Sequence, residues 1–382
     1  MDMIGRRISV PVSKDCALSG LIDLLTTDQI AEINKYHDKA RGRHAAWSII
    51  NAFDRTVDYP RSPKDFLANT AVDRIGLGAE GKPWLTSTLK RVAQTSDFEE
   101  AVSSIAEICC YGAMLEAGFE IRPIPTLKNN PTPDFEFDLD GASGIVEVTA
   151  KLEHDEQVKR ARKVADGGTP DGVERSNFEI QGGRVDFTAL VSHPFGAPDT
   201  EKVGDTTQTN AISRICQIKA KETQFADGRP SLLWIDFRDL GSWPGVFKEE
   251  QSSPLISGHH GALCSGAIWY AFYGWKGAPV FDDHAGGGYT ITPMAHEGRF
   301  SAQATKISRY AAAILCLEGA TVLFENPRAP TPLSKAQRGA LTLLPWFNIH
   351  YSVAEWEKGD VDRSHALARS MIEAIRADRE DQ

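Results

Sequence analysis

The stretch 129–153, NNPTPDFEFDLDGASGIVEVTAKLE, decides how this chain is read. Two segments alternate apolar and polar residues around a Gly-containing turn, which is the pattern of a β-hairpin. Alternate residues of a strand share a face. In the first segment Asp134, Glu136, Asp138 and Asp140 fall on one face, and Phe135, Phe137 and Leu139 on the other. In the second, Glu147, Thr149, Lys151 and Glu153 oppose Val146, Val148, Ala150 and Leu152. Two readings fit. A hairpin with one wet face alternates in the same way and needs no function. A carboxylate-rich face that ends in lysine is also a donor set for a hard divalent cation and its water. Whether Asp134 and Glu147 meet depends on register, which alternation alone leaves open.

Working outward, the hairpin is preceded by the helix TSDFEEAVSSIAEICCYGAMLEAGFEI. Ser96 and Glu99 form a capping-box pair, and Gly118 suits the C-terminal stop. Glu107 is the lone charge between Ala101 and Leu115, so the helix is expected to be buried on more than one side. FEIRPIP then reads as a strand. After the hairpin come a basic cluster, Lys159, Arg160, Arg162 and Lys163, and a second hairpin in FEIQGGRVDFTALV. QTNAISRICQIKAKETQF reads as a helix and SLLWIDF as a buried strand. The order is helix, three strands, helix, strand.

The flanks are read in the same way. Residues 1–95 form a mainly helical N-terminal region. TTDQIAEINKYHDKA opens with a Thr26–Gln29 capping box, and 56–85 is a connecting region with short helices. Residues 96–250 carry the pattern described above. Residues 251–382 extend it: GAIWYAFYG, YTITP and ATVLFEN read as strands, ATKISRYAAAILCL as helix or strand, and 363–380 as an amphipathic helix.

Composition bounds the function. A 382-residue chain has ample length to bury a core. It is 41% hydrophobic and 25% charged, which excludes wholesale disorder. The net charge of −10 argues against a uniformly basic nucleic-acid binder but not against a basic groove on an acidic protein. None of the six cysteines forms a CxxC pair, so zinc-site spacing is absent. No apolar segment follows Arg6 and Arg7 as a secretory signal would require, and the longest apolar run is too short to span a bilayer. The expectation is a cytoplasmic protein with reduced, mostly buried cysteines and no membrane partner.

TPDFEF and GIVEVTAK resemble the PD-(D/E)xK nucleases, which have the restriction-endonuclease-like fold. The resemblance covers residues 97–240. It implies an α/β fold, a mixed sheet flanked by helices, with a helical N-terminal region and a strand-rich C-terminal extension. It implies metal-dependent hydrolysis of phosphodiester bonds in nucleic acid, with DNA the expected substrate and Mg²⁺ or Mn²⁺ the cofactor. Asp134 and Glu147 would be the metal ligands. The family pattern places lysine two residues after the second ligand, where this chain has Thr149; Lys151 follows two residues later on the same face. Glu107 would be an additional acidic group. Arg214, Lys221 and Gln224 on the second helix, with Lys159 and Arg160, would contact nucleic acid. The displaced lysine keeps an alternative open: a degenerate core that binds nucleic acid or protein without cutting. A homodimer or a partner subunit fits either reading.

Other signals are weaker. GLGAEG at 76–81 fits a dinucleotide-binding pattern but lacks the strand–turn–helix context, so it reads as a loop. His259, His260 and His284 read as loop residues. Trp234, Trp269, Tyr270, Phe272, Tyr273 and Trp275 read as core or interface rather than base-stacking platforms.

Overall fold

Asp140 and Gly141 both take positive φ, 52° and 82°. That is the pattern of a two-residue type I′ turn, whose twist matches the flanking strands. The Gly141 amide donates to Asp138 Oδ1 at 2.8 Å, closing the turn. The turn joins β2 (Phe135–Leu139) to β3 (Ala142–Ala150) and fixes their register as Leu139↔Ala142 through Phe135↔Val146. Phe137 faces Gly144, and its ring covers the space a side chain would fill there.

The computed structural model describes residues 21–40, 46, 63–93, 98–125, 132–151, 173–180, 183–190, 199, 201–202, 205–218, 228–238, 252–257, 263–283, 289–317 and 319–380. The hairpin lies in a six-stranded mixed sheet. With β1 (Glu120–Pro123), β6 (Ser231–Asp236), β11 (Ala312–Cys316) and β12 (Thr321–Glu325), the order is β1-β2-β3-β6-β11-β12. β3, β6 and β11 run parallel to one another; the remaining pairs are antiparallel. Three two-stranded ribbons accompany it: β4 (Val173–Ile180) with β5 (Gly183–Leu190), β7 (Leu255–Ser257) with β8 (Leu263–Ser265), and β9 (Pro279–Asp283) with β10 (Tyr289–Pro293). The fold is α/β, and the expected strands FEIRPIP, FEIQGGRVDFTALV, SLLWIDF, YTITP and ATVLFEN are all found. ATKISRYAAAILCL, open between helix and strand, supplies β11.

The central strands β6, β11 and β12 are buried at every position, as both-face burial requires. One face packs against the helices that precede the hairpin. These are α1 (Thr27–Ala40), α2 (Pro63–Gly76), α3 (Lys82–Val92) and α4 (Phe98–Glu116), which cover Phe135, Val146, Val148 and Trp234. The Thr26–Gln29 capping box forms as expected, with reciprocal bonds of 2.8 and 3.2 Å. The other face packs Ile145, Leu233 and Ile235 against α5 (Thr207–Cys216) and α6 (Ala267–Tyr273). The chain closes with α7 (Lys335–Leu341) and α8 (Asp360–Glu380). Both edges of the sheet are managed. β1 is short and carries Pro123, and β12 is covered by the chain at 346–353 through bonds such as Thr321 N to Trp346 O and Glu325 N to Val353 O.

GAIWYAFYG corrects a strand expectation. Residues 267–273 form a helix, and all seven are buried. An unbroken apolar run has no period that separates a buried strand from a buried helix. Gly266 and Gly274 punctuate it as helix ends. Trp269, Tyr270, Phe272 and Tyr273 are core, as expected, and so is Trp234. Of the five described cysteines, all free, four are buried. No helix among the described residues is long and apolar enough to cross a membrane. Ser96 lies outside the described residues, but the end of α4 is clear. Gly118 at φ 87° and the bonds Phe119 N to Met114 O and Gly118 N to Leu115 O form a Schellman stop.

Two predictions follow from packing. α2 and α4 approach so closely at Gly112 that an added Cβ would lie 2.1 Å from Leu67 O. Gly112→Ala is expected to destabilise the fold by about 1–3 kcal/mol, the usual scale of overpacking; a denaturant midpoint equal to wild type would contradict the contact. His365 on α8 sits between Trp269 and Tyr273, with ring centroids 5.5 and 5.4 Å away. Burial and then Arg369 push its pKa down, against a smaller opposing pull from Asp362. A lowered folded pKa gives stability that is present above the ordinary histidine pKa of about 6.5 and lost as pH falls below it. Acidification from about pH 7.5 to about pH 5.5 should therefore lower the thermal midpoint of wild type more than that of His365→Phe. Equal drops would exclude His365 as a contributor.

Candidate functional site

Asp134 is the residue before β2, at the point where the chain leaves the pleat. The β2–β3 register, extended by one step beyond Phe135↔Val146, brings Asp134 abreast of Glu147. A hydrogen bond fixes the position: the Val148 amide donates to Asp134 Oδ2 at 2.7 Å. Ladder amides point along the plane of a sheet, so this carboxylate lies in the plane, filling the gap where β2 departs from β3. The backbone of Asp134 is held as well, its carbonyl accepting from Ile124 N at 3.0 Å.

Glu147 is 2% exposed. Its registered partner on β6 is Leu233, and it shares the face of Ile145, Leu233 and Ile235. Glu107 stands on α4, across the opposite face. Burial raises the pKa of Glu107 against the opposing pull of Arg91, and the Asp134 charge adds a smaller push upward; burial likewise raises the Cys110 thiol on α4, with a smaller contribution from Asp134. Glu107 and Glu147 therefore stand on opposite sides of the sheet.

Two cations border this corner. Arg91 on α3 grips Glu107 with both guanidinium arms, Nη2 to Oε2 at 2.6 Å and Nη1 to Oε1 at 3.1 Å. Nη1 also reaches Glu100 Oε1 at 3.0 Å. Arg238 follows β6. Its backbone amide and Nε both donate to Asp236 Oδ1, at 3.0 and 2.9 Å, and Nη2 pairs with Oδ2. The side chains of Asp236 and Arg238 are 4% and 5% exposed. This buried pair lies at the carboxyl ends of β3, β6 and β11, where Ala150, Asp236 and Cys316 are in register. Burial pushes the Cys316 thiol up, and Arg238 partly offsets it, so the guanidinium faces the cysteine as well as the aspartate.

Lys151, the expected catalytic lysine, is the first residue after β3. Its amide donates to Asp236 O at 3.0 Å, which fastens it beside the Asp236–Arg238 pair. Thr149, in the position where the family pattern has lysine, is half-buried opposite Ile235. Glu136, on the hairpin's carboxylate face, pairs with Arg229 at 2.7 Å. Arg214 is exposed in the last turn of α5. Lys221, Gln224, Lys159 and Arg160 lie outside the described residues, as do His259, His260 and His284. Among the described residues no group of three or more His, Cys, Asp or Glu is placed to share a metal ion. A Mg²⁺ site needs fewer protein ligands, because one or two carboxylates with water and phosphate complete its shell.

Arg91, Asp236 and Arg238 were not singled out by the sequence. Asp-x-Arg after the buried strand SLLWID carried a local signal, since an acid and a base two apart at a strand end readily form a fork. Arg91 had none, because its contact with Glu107 spans 16 positions and depends on how α3 packs on α4. Comparisons with protein-family models, with curated proteins and with solved structures returned no match.

The Asp236–Arg238 pair yields a third prediction. Arg238→Met leaves a buried aspartate without its guanidinium and should cost about 3–5 kcal/mol, whereas Asp236→Asn combined with Arg238→Met should recover much of that loss. Urea unfolding of the two variants tests this; equal destabilisation would show that the fork does not account for the cost.

Proposed function

We propose that this chain is a metal-dependent nuclease of the PD-(D/E)xK, restriction-endonuclease-like type, hydrolysing phosphodiester bonds in DNA with Mg²⁺ or Mn²⁺. The observation that carries the reading is the Asp134 carboxylate, fastened to β3 at Val148 N abreast of Glu147. The element order supports it: α4, β1, β2, β3, then α5 and β6, with β3 and β6 parallel. The donor chemistry supports it too, since two carboxylates are the hard oxygen ligands that Mg²⁺ prefers.

Asp134 and Glu147 would hold the ion, which supplies a more acidic water and offsets charge at phosphorus. Asp134 is aimed by its backbone-amide bond, so its carboxylate is oriented before any ligand arrives. Lys151, anchored through its amide to Asp236 O, would orient the attacking water from the end of β3. Attack in line with the departing oxygen then inverts the phosphate, and the proton passes to solvent.

One observation favours the second reading, a core that binds nucleic acid or a protein partner without cutting. Thr149 occupies the family's lysine position, and Lys151 lies one pleat further along, about 6–7 Å by strand rise. Cleavage of supercoiled plasmid and of single-stranded DNA with Mg²⁺ or Mn²⁺ decides between the two. Asp134→Ala and Glu147→Ala should each lower the rate by at least about a hundredfold, the scale for removing a charge-stabilising group. Cleavage that survives both substitutions would contradict the assignment, and nucleic-acid binding without cleavage by wild type would establish the second reading.

A further inference from the structure

α8 is joined to the rest of the protein by packing and by one side-chain cap. Among the described residues it makes no backbone hydrogen bond to any strand. Its start is held by Glu355, which accepts from Gly359 N at 2.7 Å and from Val361 N at 3.0 Å. The stripe Val361, His365, Ala368 and Ile372 recurs on one face of the helix. Its three apolar members are buried in the same cluster as Trp269 and Tyr273. The fourth is titratable. The His365 ring stands between Trp269 and Tyr273 of α6, and its Nε2 is buried without a hydrogen-bond partner. Its charged neighbours on α8 are Asp362, three residues before, and Arg369, four after. On α6, burial pushes the Tyr270 phenol up to about 12 and the Tyr273 phenol well above its ordinary value, so both are neutral. Tyr273 OH donates to Glu325 O and Val353 O. Of the carboxylates beyond it, Glu325 is held by Arg338 and Glu355 by the α8 cap.

We propose that His365 is an acid-sensitive latch: protonated, it no longer seats between Trp269 and Tyr273, and α8 leaves α6 while the sheet stays folded. An imidazolium in this aromatic slot loses its water and gains no described acceptor at Nε2, whereas a released helix hydrates it fully. A terminal helix without strand bonds is also the kind of element that opens before the core does. Release withdraws Arg369 from the Trp275 ring, which it covers at 4.8 Å, and uncovers Trp269 and Tyr273. The direction follows from linkage. Burial and Arg369 lower the pKa of the docked histidine, so docking is full above the ordinary value of about 6.5 and weakens as pH falls below it. Uptake of one proton limits the change to about tenfold in the release equilibrium per pH unit. The latch is independent of the nuclease reading.

Hydrogen exchange of the full chain read by mass spectrometry, corrected for the intrinsic pH dependence of exchange, separates α8 from the sheet. Between about pH 7.5 and about pH 5.5 the protection of 360–380 in wild type should fall by up to about tenfold, with β6 and β11 remaining the more protected elements. His365→Phe, which keeps the ring and removes the titration, should hold α8 protection constant over the same range. His365→Lys, which carries a permanent charge, should expose α8 already at pH 7.5. Unchanged α8 protection in wild type would overturn the latch, as would an equal loss in His365→Phe. Exchange of α8, β6 and β11 at one common rate at the lower pH would also overturn it, because the opening would then be global.

Discussion

The register of one hairpin governs the rest of the structure. The Asp140–Gly141 turn allows β2 and β3 to pair in one way, and a slip of one residue would exchange every inward and outward side chain. In the observed register Phe135 and Phe137 meet the helical layer, Gly144 makes room for the Phe137 ring, and Asp134 comes level with Glu147. The parallel join of β3 to β6 then sets which side of the sheet each later strand presents. A local backbone constraint, positive φ at two consecutive residues, thereby places the carboxylates of the candidate site.

Positioning has an energetic side. Buried charges cost several kcal/mol each unless they are paired and hydrogen-bonded. The structure meets that cost differently on each side of the sheet end. Asp236 is satisfied by Arg238 in a fork that includes the backbone amide. Glu107 is satisfied by Arg91, from a helix outside the segment that carries the motif. Asp134 takes a ladder amide that β2 has left behind.

Much of the fold was legible because it is local. Alternation located β2 and β3, an unbroken apolar run located β6, and Thr and Gly signals located helix ends such as Thr26 and Gly118. The register was left open by alternation; the structure settles it through the Asp140–Gly141 turn, which pairs Leu139 with Ala142. What failed was information the chain does not carry locally. The run at 267–273 lacks any polar residue to reveal its period, and both sheet and helix bury it equally well. Of the site, Asp134, Glu147 and Glu107 were found as residues, but their division between the two faces of the sheet was not. The residue preceding β2 shows why. A strand's alternation predicts which side chains share a face, yet Asp134 acts from just outside a strand, where alternation no longer holds. Arg91 was invisible for the related reason that its contact is made by helix packing.

The central claim is that Asp134 and Glu147 form one cation site at the end of the β2–β3 hairpin. Anomalous diffraction from crystals of the full chain grown or soaked with Mn²⁺ tests it most directly. The account predicts a peak lying about 2.1 Å from a carboxylate oxygen of each residue, and its loss in Asp134→Ala. Peaks confined to surface carboxylates such as Asp138 and Asp140, with none at Asp134, would contradict it.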